Sequence, residues 1–362
     1  MNKVLVTGPR SNGISGGQAT HMSIISTLLS PKSAHKLYFF YSSAGLDQTE
    51  NFVKKIFNFI KVICSYPFAI RQVDVVHINS SFDLKAVIRD SFLVFYTWLF
   101  CKSYVLQFHG GRPSKMNFLA KCLNLLTLKF FSRKAKFICL TNEQVDWLKK
   151  SINKDVYLAR NFVQVPSKKT SFNYNAKLRF LYMGRIVREK GVFSIVDAVN
   201  ILSQTNSNFE VYICGSGNDS KILSEYIIEK NAEEYIKFIG SVKGFEKEKI
   251  FGMCDVFLYP TKYPEGLPYS ILEALSYTMP VVSTTAGSIP DVVLNNINGI
   301  ILKENTPSEI SLIMNNFIED RNLLKDFGLE GWNLIDRNHS ITAMVEFFDY
   351  LWNFQDDFKS SN

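Results

Sequence analysis

The sequence predicts an α/β fold of two domains, each with a parallel sheet. Short apolar runs typical of buried parallel strands, such as residues 256–259, alternate with segments of helical periodicity. The 362 residues are too many for one typical domain and fit two of about 150–200 residues. A strand, a glycine-containing turn and a helix begin the chain at residues 4–29, and the same pattern begins again at residue 178. We therefore expect two successive α/β domains.

The domain boundaries follow from composition. Residues 1–165 are predicted to form the first domain. A polar segment that begins with Pro166 is typical of a linker, which we place at 166–177. Residues 178–340 would form the second domain. Residues 341–362 would form a C-terminal helix rich in aromatic residues.

Cysteine usage and the N-terminus predict a cytoplasmic protein. The six cysteines are scattered, with neither a C-x-x-C pair nor zinc-type spacing, so reduced, buried thiols are expected. The N-terminus enters a strand-like run without the apolar core of a signal peptide. The longest apolar run, residues 92–101, is about half as long as a membrane span.

The charge is unevenly distributed. Residues 1–166 have 22 Lys and Arg against 8 Asp and Glu, whereas the remainder has 19 against 25. A basic half predicts an anionic partner, and no motif that reads nucleic acid accompanies it. We therefore favour an anionic membrane surface over a plainly solvated basic face, and we expect no nucleic acid. The contributing lysines, which include Lys61, Lys121, Lys129 and Lys136, lie largely on predicted helices.

The stretch 255–292 has the composition of a ligand site. Glu265 and Gly266 lie in a loop after a buried strand, Pro268 opens a helix, and Glu273 lies eight positions after Glu265. The N-terminus of a helix suits an anion that carries hydroxyl groups, such as a nucleotide sugar. The spacing is permissive, and it also fits two surface glutamates on an ordinary crossover.

A second cluster follows the strand 178–183. Gly184, Arg185, Lys190 and Gly191 precede a helix, and two cations five residues apart can hold a diphosphate there. Considered alone, two such cations also fit a solvated surface.

The first domain offers two glycine-containing segments. The turn after the first strand has Walker A spacing of glycines, but Ile14 stands where the lysine belongs. Later in the same turn lie Gly16 and Gly17. His109 follows a strand and precedes glycine, so we expect it to be exposed at the sheet's carboxyl edge. His77 fits equally a functional role and a cap of its strand.

Together these segments resemble retaining glycosyltransferases of family 4, the glycosyl transferases group 1. The motifs are residues 264–268 with 273–275, 280–282 with 287–291, Gly184-Arg185 with Lys190-Gly191, Gly16-Gly17-x-x-x-His21, His109-Gly110, and Asn161. The resemblance implies the GT-B architecture, two Rossmann-like domains that face each other across a cleft, with the terminal helix crossing back to the first. Two residues depart from the pattern. Thr278 and Ser288 stand where glycines are usual, and both positions support the backbone.

The resemblance also implies roles for individual residues. Arg185 and Lys190 would neutralise the leaving diphosphate, Glu265 would hold hexose hydroxyls, Glu273 the ribose, and His109 would contact the sugar near its reacting carbon. Further donor-binding positions are Gly16, Gly17, Gly215, Val242, Gly266, Leu267 and Leu272. No Asp-x-Asp occurs, so we expect neither a metal nor another cofactor.

The predicted reaction transfers a hexosyl unit, with retention, from a nucleoside-diphosphate sugar to a hydroxyl of a saccharide acceptor. The basic first half favours a polyprenyl-diphosphate-linked acceptor and a role in assembling cell-surface polysaccharide (O-antigen, capsule or exopolysaccharide) at the inner membrane face. Alternatives are a catalytically silent partner subunit, a nucleotide-sugar epimerase, an inverting transferase or a phosphorylase. The paired glutamates and cations argue against the silent subunit, the epimerase and the inverting enzyme, and a phosphorylase would be much longer.

Overall fold

The computed structural model describes residues 1–9, 17–43, 52–109, 113–159, 161–166, 177–263 and 265–354. The chain divides into two compact units, Met1–Phe162 with Ile341–Asn362, and Val163–Ser340. Within the described ranges, no helix combines the length and the apolar character needed to cross a membrane.

The first unit contains one parallel sheet. Its strands are β1 (Lys3–Pro9), β2 (Lys36–Ser43), β3 (Val75–Ser80), β4 (Ser103–Phe108), β5 (Ala135–Cys139) and β6 (Val156–Leu158). Its helices are α1 (Gly17–Ile24, continued by a π-helical turn Ile25–Leu29), α2 (Phe52–Ile70), α3 (Leu84–Leu99), α4 (Phe118–Phe131), α5 (Asn142–Ile152) and, from the end of the chain, α12 (Ile341–Trp352). The strand order is β2-β1-β3-β4-β5-β6. The direction of connection reverses between β1 and β3, the kind of position where open α/β sheets bind ligands.

Two helical layers cover this sheet. Helices α2 to α5 bury residues such as Tyr66, Leu93 and Leu128 against one face. On the other face, α1 and α12 bury Met22 and Trp352. The terminal helix is thus part of the first unit's core.

Side-chain caps fix where several helices begin. Asp83, Asn117 and Thr141 each accept a backbone N–H of the first turn of α3, α4 and α5. At Thr141 the donor is the backbone N–H of Gln144, 3.2 Å from Thr141 Oγ1. Such caps satisfy N–H groups that have no partner inside the helix.

The second unit repeats the design. Its strands are β7 (Leu178–Met183), β8 (Phe209–Cys214), β9 (Ile236–Gly240), β10 (Val256–Tyr259), β11 (Val281–Ser283) and β12 (Gly299–Ile301). Its helices are α6 (Val192–Leu202), α7 (Ser220–Glu229), α8 (Gly244–Met253), α9 (Tyr269–Ser276), α10 (Pro307–Glu319) and α11 (Asn322–His339). The order β12-β11-β10-β7-β8-β9 places the reversal of connection between β7 and β10. The predicted α/β class is confirmed in both units.

Two expectations need correction. Cys64 and Cys101 are exposed, so not all thiols are buried, although all six are free. Lys136 is not part of a basic surface, because its side chain is buried on β5 and its Nζ donates to the carbonyl of Asn353 at 3.1 Å. Most of the predicted linker, 167–176, and residues 355–362 lie outside the described residues.

Candidate functional site

The candidate site of the second unit lies at the reversal point of its sheet. The loop after β7 contains Arg185 and Lys190, and the loop after β10 contains Glu265. Strands β7 and β10 are direct neighbours, with Phe180 opposite Val256. The sheet order therefore brings together two loops that are far apart in sequence.

Lys190 and Glu265 form an ion pair at this point. The Lys190 ammonium contacts Glu265 Oε1 and also donates to Tyr259 Oη at 2.9 Å. The same carboxylate oxygen accepts from Tyr259 Oη at 3.2 Å and from Thr261 Oγ1 at 3.1 Å. Among the described residues all three donors converge on Oε1. Glu265 Oε2 and one ammonium hydrogen of Lys190 thus remain for a ligand.

Burial shapes the electrostatics of this pair. The Lys190 side chain is buried, which lowers its pKa below the ordinary value, while the charge of Glu265 partly offsets that effect. Burial and the neighbouring Glu265 carboxylate raise the pKa of Tyr259 well above its usual range, so its hydroxyl stays a neutral donor. A buried cation beside a carboxylate with one uncommitted oxygen can bind an anion and a hydroxyl side by side.

Arg185 presents its charge to solvent. The residue is exposed, and its guanidinium lies 5.9 Å from the ring centroid of Tyr263, over which the Lys190 ammonium also lies at 4.8 Å. Tyr182 Oη donates to the Arg185 carbonyl at 2.9 Å and fixes the backbone there. The two predicted cations therefore share one aromatic side chain.

Two glycines are required by close backbone contacts. Gly215 has φ +145°, and a Cβ there would lie 1.8 Å from the Gly184 carbonyl oxygen. Gly287 has φ +59°, and a Cβ there would lie 1.9 Å from the Glu265 carbonyl oxygen. Glycine at these positions lets neighbouring loops pack onto the backbone of the candidate site.

Glu273 has a different partner. It lies on α9 and forms an ion pair with Lys247 of α8. Burial raises the pKa of Glu273, and Lys247 opposes that shift. Lys247 therefore helps to keep this carboxylate charged.

The other predicted donor-binding positions lie around these loops. Gly266 is half-buried and accepts from the Ser288 N–H at 3.2 Å. Leu267 and Leu272 lie close in sequence to the two glutamates, but their side chains belong to the buried core. Val242 follows β9 and is half-buried. The two leucines therefore support the loop and the helix by packing.

The two departures from the family pattern differ structurally. Thr278 follows the end of α9 with φ +59°, a left-handed conformation that disfavours β-branched residues. Ser288 has φ −94°, which any residue adopts. Of the two positions where the family usually has glycine, only Thr278 therefore has a backbone conformation that is costly for another residue.

In the first unit, His109 lies directly after β4, and it is half-buried and not exposed as expected, because it packs beside Asn79 and His21. Its Nε2 donates to Asn79 Oδ1, whose orientation is fixed because Asn79 Nδ2 donates to the Thr7 carbonyl at 2.8 Å. The ring centroid of His21 is 4.3 Å away. Burial, with a smaller effect of His77, lowers the pKa of His109 to about 3 and keeps it neutral. Gly17 begins α1, whereas Gly16 and Gly110 lie outside the described residues.

His77 is part of the core. Its Nδ1 accepts from Trp352 Nε1 at 3.2 Å, so its Nε2 carries the hydrogen and donates to Gln107 Oε1 at 3.0 Å. Both partners are buried. The residue therefore joins the terminal helix α12 to the sheet.

Sequence reasoning missed four side chains of the second unit's site: Tyr259, Thr261, Tyr263 and Lys247. Tyr259 was interpreted as an apolar strand residue, and only its place at the strand's carboxyl end indicates a site. Thr261 and Tyr263 follow in the same loop. Lys247 carries no local signal, because its partner Glu273 lies on another helix. Among the described side chains, no group of three or more His, Cys, Asp or Glu could hold a metal ion.

Comparison with protein families and curated proteins gives matches to glycosyltransferases. The family model "Glycosyl transferases group 1" matches residues 166–332. The amylovoran biosynthesis glycosyltransferase AmsK of Erwinia amylovora is 28% identical over 142 residues, 38% of this chain and 35% of that protein. The capsular polysaccharide biosynthesis glycosyltransferase CapM of Staphylococcus aureus is 23% identical over 176 residues, 48% of this chain and 45% of that protein. The chain thus matches less than half of each relative's length.

Solved structures share the fold over the whole chain. The Anabaena protein Alr3699/HepE, solved with UDP, superposes with a TM-score of 0.75 at 14% identity, covering 97% of this chain and 99% of that one. The same protein has also been solved with UDP-glucose. The likeness establishes the two-domain α/β fold of GT-B proteins.

Proposed function

We propose that this chain is a glycosyltransferase, on the premise that residues 166–332 match the family model of the glycosyl transferases group 1. Its donor would be a nucleoside-diphosphate sugar and its reaction the transfer of a hexosyl unit, with retention, to a saccharide hydroxyl. The observation that carries the proposal is the Lys190–Glu265 pair at the reversal point of the second sheet. This position is where α/β sheets bind nucleotides, and a cation and a hydroxyl acceptor are both present.

The donor would be held by charge and by hydrogen bonds. Arg185 can fork two phosphate oxygens, and the remaining ammonium hydrogen of Lys190 can bind a third. Both cations would stabilise the negative charge that develops on the leaving diphosphate. Glu265 Oε2 would accept from a hexose hydroxyl and Glu273 from the ribose. UDP and UDP-glucose are the first donors to test, because the structurally similar Anabaena protein has been solved with both.

The acceptor is proposed from the first unit and from the relatives. His109, neutral and fixed by Asn79, would contact the transferred sugar near its reacting carbon. The relatives named for amylovoran and capsular polysaccharide support a role in cell-surface polysaccharide assembly. A polyprenyl-diphosphate-linked saccharide at the inner membrane face is the acceptor that we propose.

The reaction itself provides the test. Purified protein is incubated with one nucleotide sugar at a time and with polyprenyl-diphosphate-linked saccharides. Released nucleoside diphosphate is quantified, and NMR of the product gives the anomeric configuration. We expect one donor to be consumed only with acceptor, with retention and with activity preserved in EDTA. Loss of activity in EDTA would contradict the metal-free reaction, and an inverted product would contradict retention. A protein that binds nucleotide sugar but transfers nothing to any acceptor would be the silent subunit.

A further inference from the structure

Helices α2, α3 and α4 expose a continuous apolar surface on the first unit. We propose that this surface, termed the α2–α4 face, docks onto an anionic lipid bilayer. The proposal stands on the first unit alone and does not depend on the reaction. The evidence is the spacing of the exposed residues, their continuity across the helices, and their charge.

Helix α2 presents its apolar stripe outward. Val53, Ile56, Phe57 and Ile60 recur at helical spacing, and all four are exposed, Phe57 by 67%. Lys61 lies in the same stripe and is also exposed. A helix on a sheet normally points such a stripe inward. Here the helix has a second apolar stripe facing solvent.

Helix α4 repeats this arrangement. Phe118, Leu126 and Phe130 are exposed, Phe118 by 83% and Phe130 by 72%. The opposite side of the helix is also apolar, since Ala120 and Leu128 are buried. Exposed Lys121 and Lys129 are interspersed with the aromatic side chains.

Aromatic contacts make the surface continuous across α3. Phe59 of α2 meets Phe92 of α3 edge to face, with centroids 6.1 Å apart. Trp98 of α3 meets Phe131 at the end of α4 at 5.1 Å. Both Phe92 and Trp98 remain more than 40% exposed. A contiguous apolar surface of this kind is uncommon on a soluble monomer and marks an interaction site.

The charge of the face selects the partner. The three helices contain one acidic residue, Asp90, which is buried and paired with Arg89. The neighbouring helix α5 belongs to the same layer, and its exposed residues, among them Glu143 and Asp146, are polar. Apolar side chains interspersed with lysines, without exposed carboxylates, are typical of helices that lie in an anionic membrane interface. Helix α2, about 28 Å long at 1.5 Å per residue, provides a broad support for such contact.

Vesicle co-sedimentation tests the α2–α4 face. Wild type is mixed with vesicles of equal phosphatidylglycerol and phosphatidylcholine, or of phosphatidylcholine alone. We expect strong binding to the anionic vesicles only, reduced but not abolished by high salt because apolar contact remains. The triple variant Ile56→Ser/Phe57→Ser/Ile60→Ser should bind at least about tenfold more weakly. The matched control Ile228→Ser/Leu312→Ser removes exposed apolar residues of the second unit and should bind like wild type.

A second measurement reports insertion directly. Because native Trp98 lies on the face itself, Trp98→Phe serves as the parent, in which tryptophan replaces Phe57 or, as control, Leu312, and brominated lipids are added as quenchers. Quenching beyond that of the parent at position 57, and none beyond it at 312, supports docking through the α2–α4 face. Equal binding by the triple variant and wild type, or no binding to anionic vesicles, would overturn the proposal. So would a concentration-dependent dimer that the triple variant abolishes, because the face would then be a protein interface. Vesicle binding without nucleotide binding would leave this proposal intact and remove the proposed transferase.

Discussion

Lys190 and Glu265, separated by 75 positions in sequence, form a buried ion pair that closes the reversal point of the second sheet. The pair joins the loop after β7 to the loop after β10. Within the described part of the chain, only one oxygen of the Glu265 carboxylate accepts hydrogen bonds here, from Lys190, Tyr259 and Thr261. The Lys190 ammonium uses two of its three hydrogens, one to Glu265 and one to Tyr259. A site so arranged is prepared for a ligand that has both a phosphate and hydroxyl groups.

The first prediction concerns stability. Lys190→Met leaves the Glu265 carboxylate buried without its cation, so we expect the free energy of unfolding to fall by about 3 kcal/mol. Arg185→Met, in the same loop but exposed, should change it by no more than about 0.5 kcal/mol. Urea unfolding measures both values. The double variant Lys190→Met/Glu265→Leu should recover most of the loss, and a loss equal to the sum of the single variants would refute the coupling.

The second prediction concerns the left-handed residue after α9. Thr278→Gly removes the conformational cost of φ +59° and should raise the free energy of unfolding by about 1 kcal/mol. Ser288→Gly is the matched comparison, because Ser288 has φ −94° and a glycine there only adds freedom to the unfolded chain. Thermal denaturation of both variants distinguishes them. If the serine variant proved the more stable of the two, backbone strain at Thr278 would be ruled out.

The third prediction concerns acid. Burial lowers the pKa of His77 and of His109 to about 3 in the folded protein, whereas histidines of the unfolded chain have a pKa of about 6.5. Between these values the unfolded chain binds protons that the folded chain does not. The contribution of these two neutral histidines to the free energy of unfolding is therefore fully present above pH 6.5 and is lost as the pH falls towards 3. The expected slope is up to about 1.4 kcal/mol per pH unit for each histidine. Urea unfolding at pH 5 to 7.5 measures it. His77→Gln should be less stable at pH 7 but have a shallower slope, and an unchanged slope would show that His77 is not buried as a neutral ring.

The fourth prediction concerns the carboxylate on α9. Lys247→Met removes the cation that opposes the raised pKa of Glu273, so that pKa should rise further. Less carboxylate is then present as the pH falls. We expect the affinity of this variant for UDP to fall more steeply than that of wild type as the pH is lowered, by at most about tenfold per pH unit. Calorimetric titration at three pH values provides the comparison. Lys249→Met, at an exposed lysine of the same helix, is the control and should follow wild type.

Much of this structure was predictable because the signals are local. The strand at 256–259 is a short apolar run between turn residues, and Arg185 and Lys190 follow a strand and a glycine. Other features could not be predicted from the sequence, for physical reasons. Helix α4 is apolar on its buried and exposed sides alike, so its hydrophobic periodicity is weak. The Lys247–Glu273 pair and the conformation of Thr278 depend on tertiary packing, which spacing does not report.

The central claim is that Arg185 and Lys190 bind the diphosphate of a nucleotide donor. Calorimetric titration with UDP, and with the other nucleoside diphosphates, tests it on wild type, Arg185→Met, Lys190→Met and the matched control Arg188→Met. Arg188 is an exposed cation of the same loop. We expect one nucleotide to bind wild type and the control equally. Its binding should weaken at least about tenfold in Arg185→Met, whose fold is expected to be intact, and further in Lys190→Met. A wild type that binds no nucleoside diphosphate, or an Arg185→Met protein that binds it as tightly as wild type, would contradict the claim.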